Sequence, residues 1–262
     1  MNKFILFTLI IILVILYIVN INYIHNYKVK SKIISIGVPC ILKHSKHLPT
    51  LIKSINNQTL LPYEIIISLS STDKKNGERI RKQLNEISKV NVKVIDTIEV
   101  RYPGDNRNIC VNNCNTDLIS FIDADDELCP TRTEVLEKVY NEYNYDVLYH
   151  LHTDGKKCNN FNRNIWNNKI SRSKIDVSRD KSNFADYSWF KYKSSKFHYG
   201  HSTIKVSLGK KYPQKNYRMG EDINIFYEYY KDKSVNIVAL PNYNGTIYNK
   251  ELSTLGPNNP HY

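Results

Sequence analysis

The sequence predicts an α/β fold: a mainly parallel twisted sheet flanked by helices, preceded by one N-terminal transmembrane helix. Three observations lead there. Apolar runs of strand length alternate with segments of helical period between residues 33 and 151. Those runs are apolar on consecutive residues rather than on every second one, as expected of strands covered on both faces. The first two dozen residues are apolar on all sides.

The N-terminal run comes first. Phe4 to Val19 is broken only by Thr8, and continuing to Ile24 gives enough length to cross a bilayer at the helical rise. No Ala, Gly or Ser lies between Leu9 and Lys30, so no small-residue cleavage site is visible. Residues 1–27 therefore read as an uncleaved signal-anchor and 28–32 as a short basic linker, making a single-pass membrane protein. Lys28, Lys30 and Lys32 after the span favour a cytoplasmic domain by the positive-inside rule. The span alone does not fix the orientation, so the side stays open.

Ile33 to Val38 reads as a buried strand stopped by Pro39. Leu48, Leu51, Ile52 and Ile55 recur at helical spacing. Glu64 to Leu69 is a second strand, Ile80, Leu84 and Ile87 mark a second helix, and Val92 to Ile95 is a third strand. A helix over Asn106 to Cys114, a strand over Leu118 to Ile122, a helix over Thr131 to Tyr143 and a strand over Val147 to Leu151 follow. From Asp154 to Ser195 the pattern dissolves into polar, basic sequence with scattered aromatics. It returns with Ser202 to Val206, a helix over Glu221 to Tyr230 and a strand over Val235 to Leu240. The folded domain spans 33–255, and 256–262 is an irregular tail.

The 262 residues suffice for one sizeable core or two small ones. The formal charge of +12 suits anionic partners or a lysine-rich surface. A nucleic-acid partner is not expected, because the basic residues are dispersed and no reader motif occurs. The five cysteines are scattered, odd in number and lack a Cys-x-x-Cys pair, so they read as buried thiols rather than a zinc site or a disulfide framework.

The most informative segment runs from Leu118 to Pro130. A buried strand leads straight into Asp123, Asp125 and Asp126. In parallel sheets ligands bind beyond the carboxyl ends of the strands. Three carboxylates so close repel one another unless a cation lies between them, and oxygen donors suit Mg²⁺ or Mn²⁺ with phosphate oxygens in the same shell. The plainer reading is an acidic turn whose Asp126 or Thr131 caps the next helix.

Here the sequence resembles the family-2 glycosyltransferases, which have the GT-A fold. Five blocks match in order over most of the domain: Ile34 to Pro39, Leu51 to Thr59 with Pro62 to Ile67, Gly104 to Asn108, Phe121 to Asp126, and Gly220 to Asp222. The resemblance implies a nucleotide-sugar donor, UDP- or GDP-linked, and one sugar moved to an acceptor hydroxyl with inversion. It implies that Asp125 ligates Mn²⁺ or Mg²⁺, with Asp123 at the donor ribose or the metal's water shell. Asp222 would be the general base, and Pro39, Ser68 and Arg107 would lie at the donor. Arg107 would approach the phosphates; its plainer reading is a surface helix arginine. His198, His201 and His261 are weaker candidates for the site. The family's second strand ends in an acidic pair, where this chain has Ser68 and Leu69. That departure motivates an alternative, a catalytically inactive domain that binds a nucleotide-sugar or glycan. The Gln-x-x-Arg-Trp block of processive synthases is absent.

Overall fold

The computed structural model describes residues 29–155, 158, 199–218 and 220–249. The expected membrane span, the tail, and the histidines at 198 and 261 lie outside these residues. Among the described residues no helix is long and apolar enough to cross a membrane.

Eight strands form one mixed sheet: β1 (Ile34–Ile41), β2 (Glu64–Ser70), β3 (Asn91–Asp96), β4 (Leu118–Phe121), β5 (Glu127–Leu128), β6 (Val147–Thr153), β7 (Thr203–Lys205) and β8 (Ile237–Ile247), in the order β3-β2-β1-β4-β7-β6-β8-β5. Strands β3, β2, β1 and β4 are mutually parallel, and β7 is antiparallel to both β4 and β6. Strand β6 therefore runs with β4, and β8 runs with β6. The carboxyl ends of six strands consequently open on one edge.

Among the described residues six helices cover the sheet: α1 (Leu48–Asn56), α2 (Lys74–Ile87), α3 (Pro103–Asn112), α4 (Arg132–Tyr143), α5 (Val206–Lys211) and α6 (Glu221–Lys231). The apolar run of β2 shows why both faces need cover. Ile65, Ile67 and Leu69 pack with Leu51, Ile55, Ile80 and Leu84 of α1 and α2, whereas Ile66 points the other way, to Cys110, Phe121 and Phe226. Successive side chains of a strand face opposite sides, so a strand buried on both reads as continuously apolar. Helix α4 closes a third cluster, Val135, Leu136 and Val139 against Ile34, Leu118 and Leu148. At Gly37 the sheet leaves no room for a side chain: a Cβ there would lie 2.8 Å from Ile119 Cδ1 and 2.9 Å from Phe121 Cδ1.

Three expectations need correction. Pro39 does not stop β1, which continues to Ile41. The Gly37 carbonyl accepts from Ile122 on the β4 side, and Pro39, two residues on, faces the same side beyond the end of β4. Its missing N–H thus costs no ladder bond. Strand β8 likewise outlasts Pro241: the register skips from Leu240 opposite His150 to Asn244 opposite Leu151, a bulge that absorbs the proline. Third, the cysteines are not all thiols. Cys129 and Cys158 form a disulfide, while Cys40, Cys110 and Cys114 are free.

Candidate active site

Strand β4 ends at Phe121, and the chain turns through Asp123, Asp125 and Asp126 on the edge where the strands open. The three acids have different surroundings. Asp126 is 2% exposed; its Oδ2 lies 3.0 Å from His201 Nε2, and its Oδ1 accepts the Asn249 N–H at 2.8 Å. Asp123 is partly open, with Oδ1 3.1 Å from Arg107 Nη2 and Oδ2 3.5 Å from His201 Nε2. Asp125, half-buried, has its backbone carbonyl held by Asn249 Nδ2 at 2.6 Å. Neither Asp126 nor Thr131 caps α4: Thr131 is the residue before the helix but makes no side-chain cap bond, and Asp126 is turned to His201 and Asn249.

The charges follow from this packing. Burial, then the neighbouring Asp123 and Asp126 carboxylates, pushes Asp125 up to about 7. Burial opposes a charge on the His201 imidazole, but Asp123 and Asp126 outweigh it and raise its pKa. Beneath the corner lies Arg132, fully buried. It donates through Nη1 to Thr246 Oγ1 at 2.8 Å and through Nη2 to Ser120 Oγ at 2.9 Å, the Phe121 carbonyl at 2.6 Å and the His201 carbonyl at 3.1 Å. Each acceptor is neutral, so burial pulls this guanidinium down to about 10. Arg132 thereby joins the end of β4, His201 and β8, the three pieces of chain that carry the corner or its partners.

The second acidic block is brought to the first by Arg107. This side chain is 3% exposed, which excludes the surface-arginine reading. Its Nη1 donates to Glu221 Oε1 at 2.8 Å while Nη2 reaches Asp123. Burial opposes its charge, yet Asp123, Glu221 and Asp222 together hold it firmly protonated. Asp222, half-buried in the first turn of α6, has its pKa raised by burial, an effect that Arg107 offsets and the Asp123 charge reinforces. Asp123 and Asp222 are thus near enough to feel one another across one site.

Pro39 and Ser68 are register partners on β1 and β2, and both are buried. The Ser68 hydroxyl donates to Asn106 Oδ1 at 2.8 Å, so as placed it is an internal bond of the sheet–α3 contact. His201 and Asn249 were the partners that sequence reasoning did not assign to the corner. His201 arrives because β7 pairs antiparallel with β4, the Phe121 N–H bonding the Ser202 carbonyl at 2.9 Å. Asn249 arrives at the end of β8.

Oxygen donors from Asp123, Asp125 and Asp126, one of them pushed far above its ordinary range by burial and by its neighbouring carboxylates, fit a hard divalent cation. Ligand atoms of Asp123, Asp126 and His201 lie within 4.8 Å of one another. Of these, Asp126 and His201 are closed off from solvent at 2% and 1% exposure.

The family described as Glycosyl transferase family 2 matches residues 35–200. No curated protein matches the chain. Among solved structures, S. aureus TarS 1–349 in complex with UDP superposes with a TM-score of 0.58 at 15% identity, over 82% of this chain and 60% of that one. The mannosyltransferase PcManGT from Pyrobaculum calidifontis, with GDP-Man and Mn²⁺, superposes with a TM-score of 0.53 at 13% identity, over 80% and 55%. Glucosyl-3-phosphoglycerate synthase from Mycobacterium tuberculosis, with Mn²⁺, UDP and phosphoglyceric acid, gives 0.52 at 13% identity, over 80% and 68%. The chain thus spans about 60% of the TarS fragment. At these identities the likeness is one of fold.

Proposed function

The chain belongs to glycosyl transferase family 2, and from that premise we propose that it is a metal-dependent enzyme moving one sugar from a nucleotide-sugar to an acceptor hydroxyl with inversion. The observation that carries this reading is the Arg107 bridge, which puts the acid corner and the Glu221–Asp222 block in one site.

Asp125 and Asp123 would hold the cation, because a diphosphate must also reach it and both are partly accessible, whereas Asp126 and His201 are buried. When bound, Mn²⁺ or Mg²⁺ would offset charge on the departing diphosphate. Asp222 takes the proton as the acceptor oxygen bonds to the anomeric carbon, and the bond from that carbon to the phosphate oxygen breaks with the electron pair leaving on the nucleoside diphosphate. A carboxylate whose pKa is raised by burial is a better base at neutral pH than a solvated one. The donors UDP-GlcNAc and GDP-Man are the chemical classes to try first, since fold neighbours carry them.

Residues 4–24 would anchor the protein in a membrane as a single pass. The Cys129–Cys158 disulfide favours an oxidising compartment for the catalytic domain over the cytoplasmic side suggested by the flanking lysines. Protease protection of sealed vesicles would decide: a domain digested on the cytoplasmic face rules this side out.

The decisive experiment screens UDP- and GDP-sugars with Mn²⁺ by donor hydrolysis and transfer, with Asp222→Asn alongside. Turnover in the parent and a loss of about 10²-fold or more in Asp222→Asn is expected; full activity in the variant would remove Asp222 from the mechanism. The buried, internally bonded Ser68 favours a second reading, a domain that binds the nucleotide-sugar without turning it over. Binding of a donor with turnover of none would establish it.

A further inference from the structure

The segment Gly104 to Asn108 resembles a family block whose Arg107 is expected at the donor, yet its side chains are engaged within the protein. Between α5 and α6 the described residues 212–218 and 220 lie outside helix and strand, and this stretch leads to Glu221 and Asp222. One face of α3 grips it. Asn108 Nδ2 donates to the Gln214 carbonyl at 2.7 Å and the Gln214 N–H donates back to Asn108 Oδ1 at 2.8 Å. From the adjacent position, Arg107 Nη1 reaches Gln214 Oε1 at 3.5 Å and Glu221 Oε1 at 2.8 Å. At the start of the helix, Gly104 lies so close to the Lys215 carbonyl that a Cβ would collide with its oxygen, and such a Cβ would sit 3.3 Å from both Gln214 Cβ and Glu221 Cγ. Positions 104, 107 and 108 fall on one helical face, separated by three and four residues.

The reciprocal Asn108 bonds are the kind that hold backbone rather than recognise a ligand. They satisfy both backbone polar groups of Gln214 and engage both ends of the Asn108 amide. Gly104 permits the backbone approach that brings them into range. The far end of the gripped stretch is Gly220, in the left-handed region with φ 78°, from which α6 starts and presents Asp222. Only Arg107 also touches the acid corner.

We infer that the Gly104–Arg107–Asn108 face of α3 is a positioning clamp that sets where Asp222 stands relative to the acid corner, and that it does not itself bind the donor. The inference rests on the reading of Asp222 as the base. It predicts a split that a donor-binding motif would not give. Displacement of a reacting group by about 1 Å can cost about 10²-fold in rate, while the acid corner, held by β4, His201 and Asn249, stays in place.

The test compares the full chain with Asn108→Ala, Asn108→Asp and Gly104→Ala. Thermal melts establish folding. Three readouts follow: calorimetric affinity for UDP and for GDP with Mn²⁺, turnover of the donor found active, and hydrogen–deuterium exchange. Asn108→Ala should lower kcat by about tenfold or more and leave nucleotide–Mn²⁺ affinity within about twofold. Exchange should quicken across 213–224 and stay unchanged across 118–126. Asn108→Asp, which keeps the acceptor and loses the donor, should fall between, and Gly104→Ala should reproduce the split without altering a polar group. Nucleotide affinity weakened by about tenfold would make the block a donor site and overturn the clamp, as would unchanged exchange and kcat. Asp222→Asn run in parallel separates the two ideas: if it retains turnover the base assignment fails, and the exchange result still decides the clamp.

Discussion

Replacing Asp125 by Asn should make the metal-free protein more stable at neutral pH while abolishing its affinity for Mn²⁺. Burial, then the Asp123 and Asp126 carboxylates, pushes this carboxyl up to about 7 from its ordinary 3.8. A carboxyl raised on folding favours the protonated folded state, so stability is highest below the ordinary value, falls as pH rises through the window from about 4 to about 7, and stays lower above it. With about 1.4 kcal/mol for each pH unit of that window, ionised Asp125 costs the empty fold on the order of 4 kcal/mol as an upper limit. Asn removes that cost and keeps the volume. Urea denaturation in EDTA at pH 7.5 and 5.0 measures it: the parent should lose stability between the two, and the difference between parent and Asp125→Asn should widen at the higher pH. A cation must displace the same proton, so Mn²⁺ affinity in the parent should fall by about tenfold for each pH unit below about 7 and level off above. Equal stabilities at pH 7.5, or Mn²⁺ affinity in Asp125→Asn within about threefold of the parent, would refute the assignment of this acid to the cation.

Other perturbations test the scaffold. Arg132→Met should destabilise the domain by about 2–4 kcal/mol by urea denaturation, since Thr246, Ser120 and two carbonyls lose a buried donor; a loss under about 0.5 kcal/mol would mean these acceptors find other partners. Cys158→Ser, or reduction of the parent, should cost about 3 kcal/mol for a bond joining residues 29 apart, and equal midpoints with and without reductant would contradict it. Gly37→Ala should cost about 1–3 kcal/mol through overpacking against Ile119 and Phe121, and a thermal midpoint at or above the parent's would show that those rings yield freely.

Much of the parallel half of the sheet could be read before any coordinates. Ile65, Ile66 and Ile67 are consecutive and β-branched, and the structure divides them between two faces of the sheet. Asp123 to Asp126 was legible because a buried strand can end only at a sheet edge, and the parallel arrangement names which edge. Helix α6 was legible from Glu221 and Asp222 at its start. What escaped was long-range. His201 reaches Asp126 through a three-residue antiparallel strand whose partner lies far back in the chain, and neither strand carries a pattern that specifies the pairing. Ser68 looked like a free polar group because nothing local reveals that Asn106 of α3 faces it. Pro39 looked like a terminator because the side toward which a strand's N–H points depends on where its neighbours stop. The disulfide was missed for a similar reason: Cys129 and Cys158 stand 29 residues apart, and only the fold brings their Cα atoms to 5.6 Å.

The two bonds from Asn249 to the acid corner have a consequence for how the protein is made. Asp123, Asp125 and Asp126 are translated well ahead of their partner: the residue that grips the backbone of one and the carboxylate of another emerges more than a hundred positions later. A nascent chain paused before β8 therefore exposes three mutually repelling acids with neither Asn249 nor the Thr246 anchor of Arg132. Assembly of the reactive edge therefore waits for β8, which couples the onset of chemistry to the delivery of residues far downstream of the acids themselves.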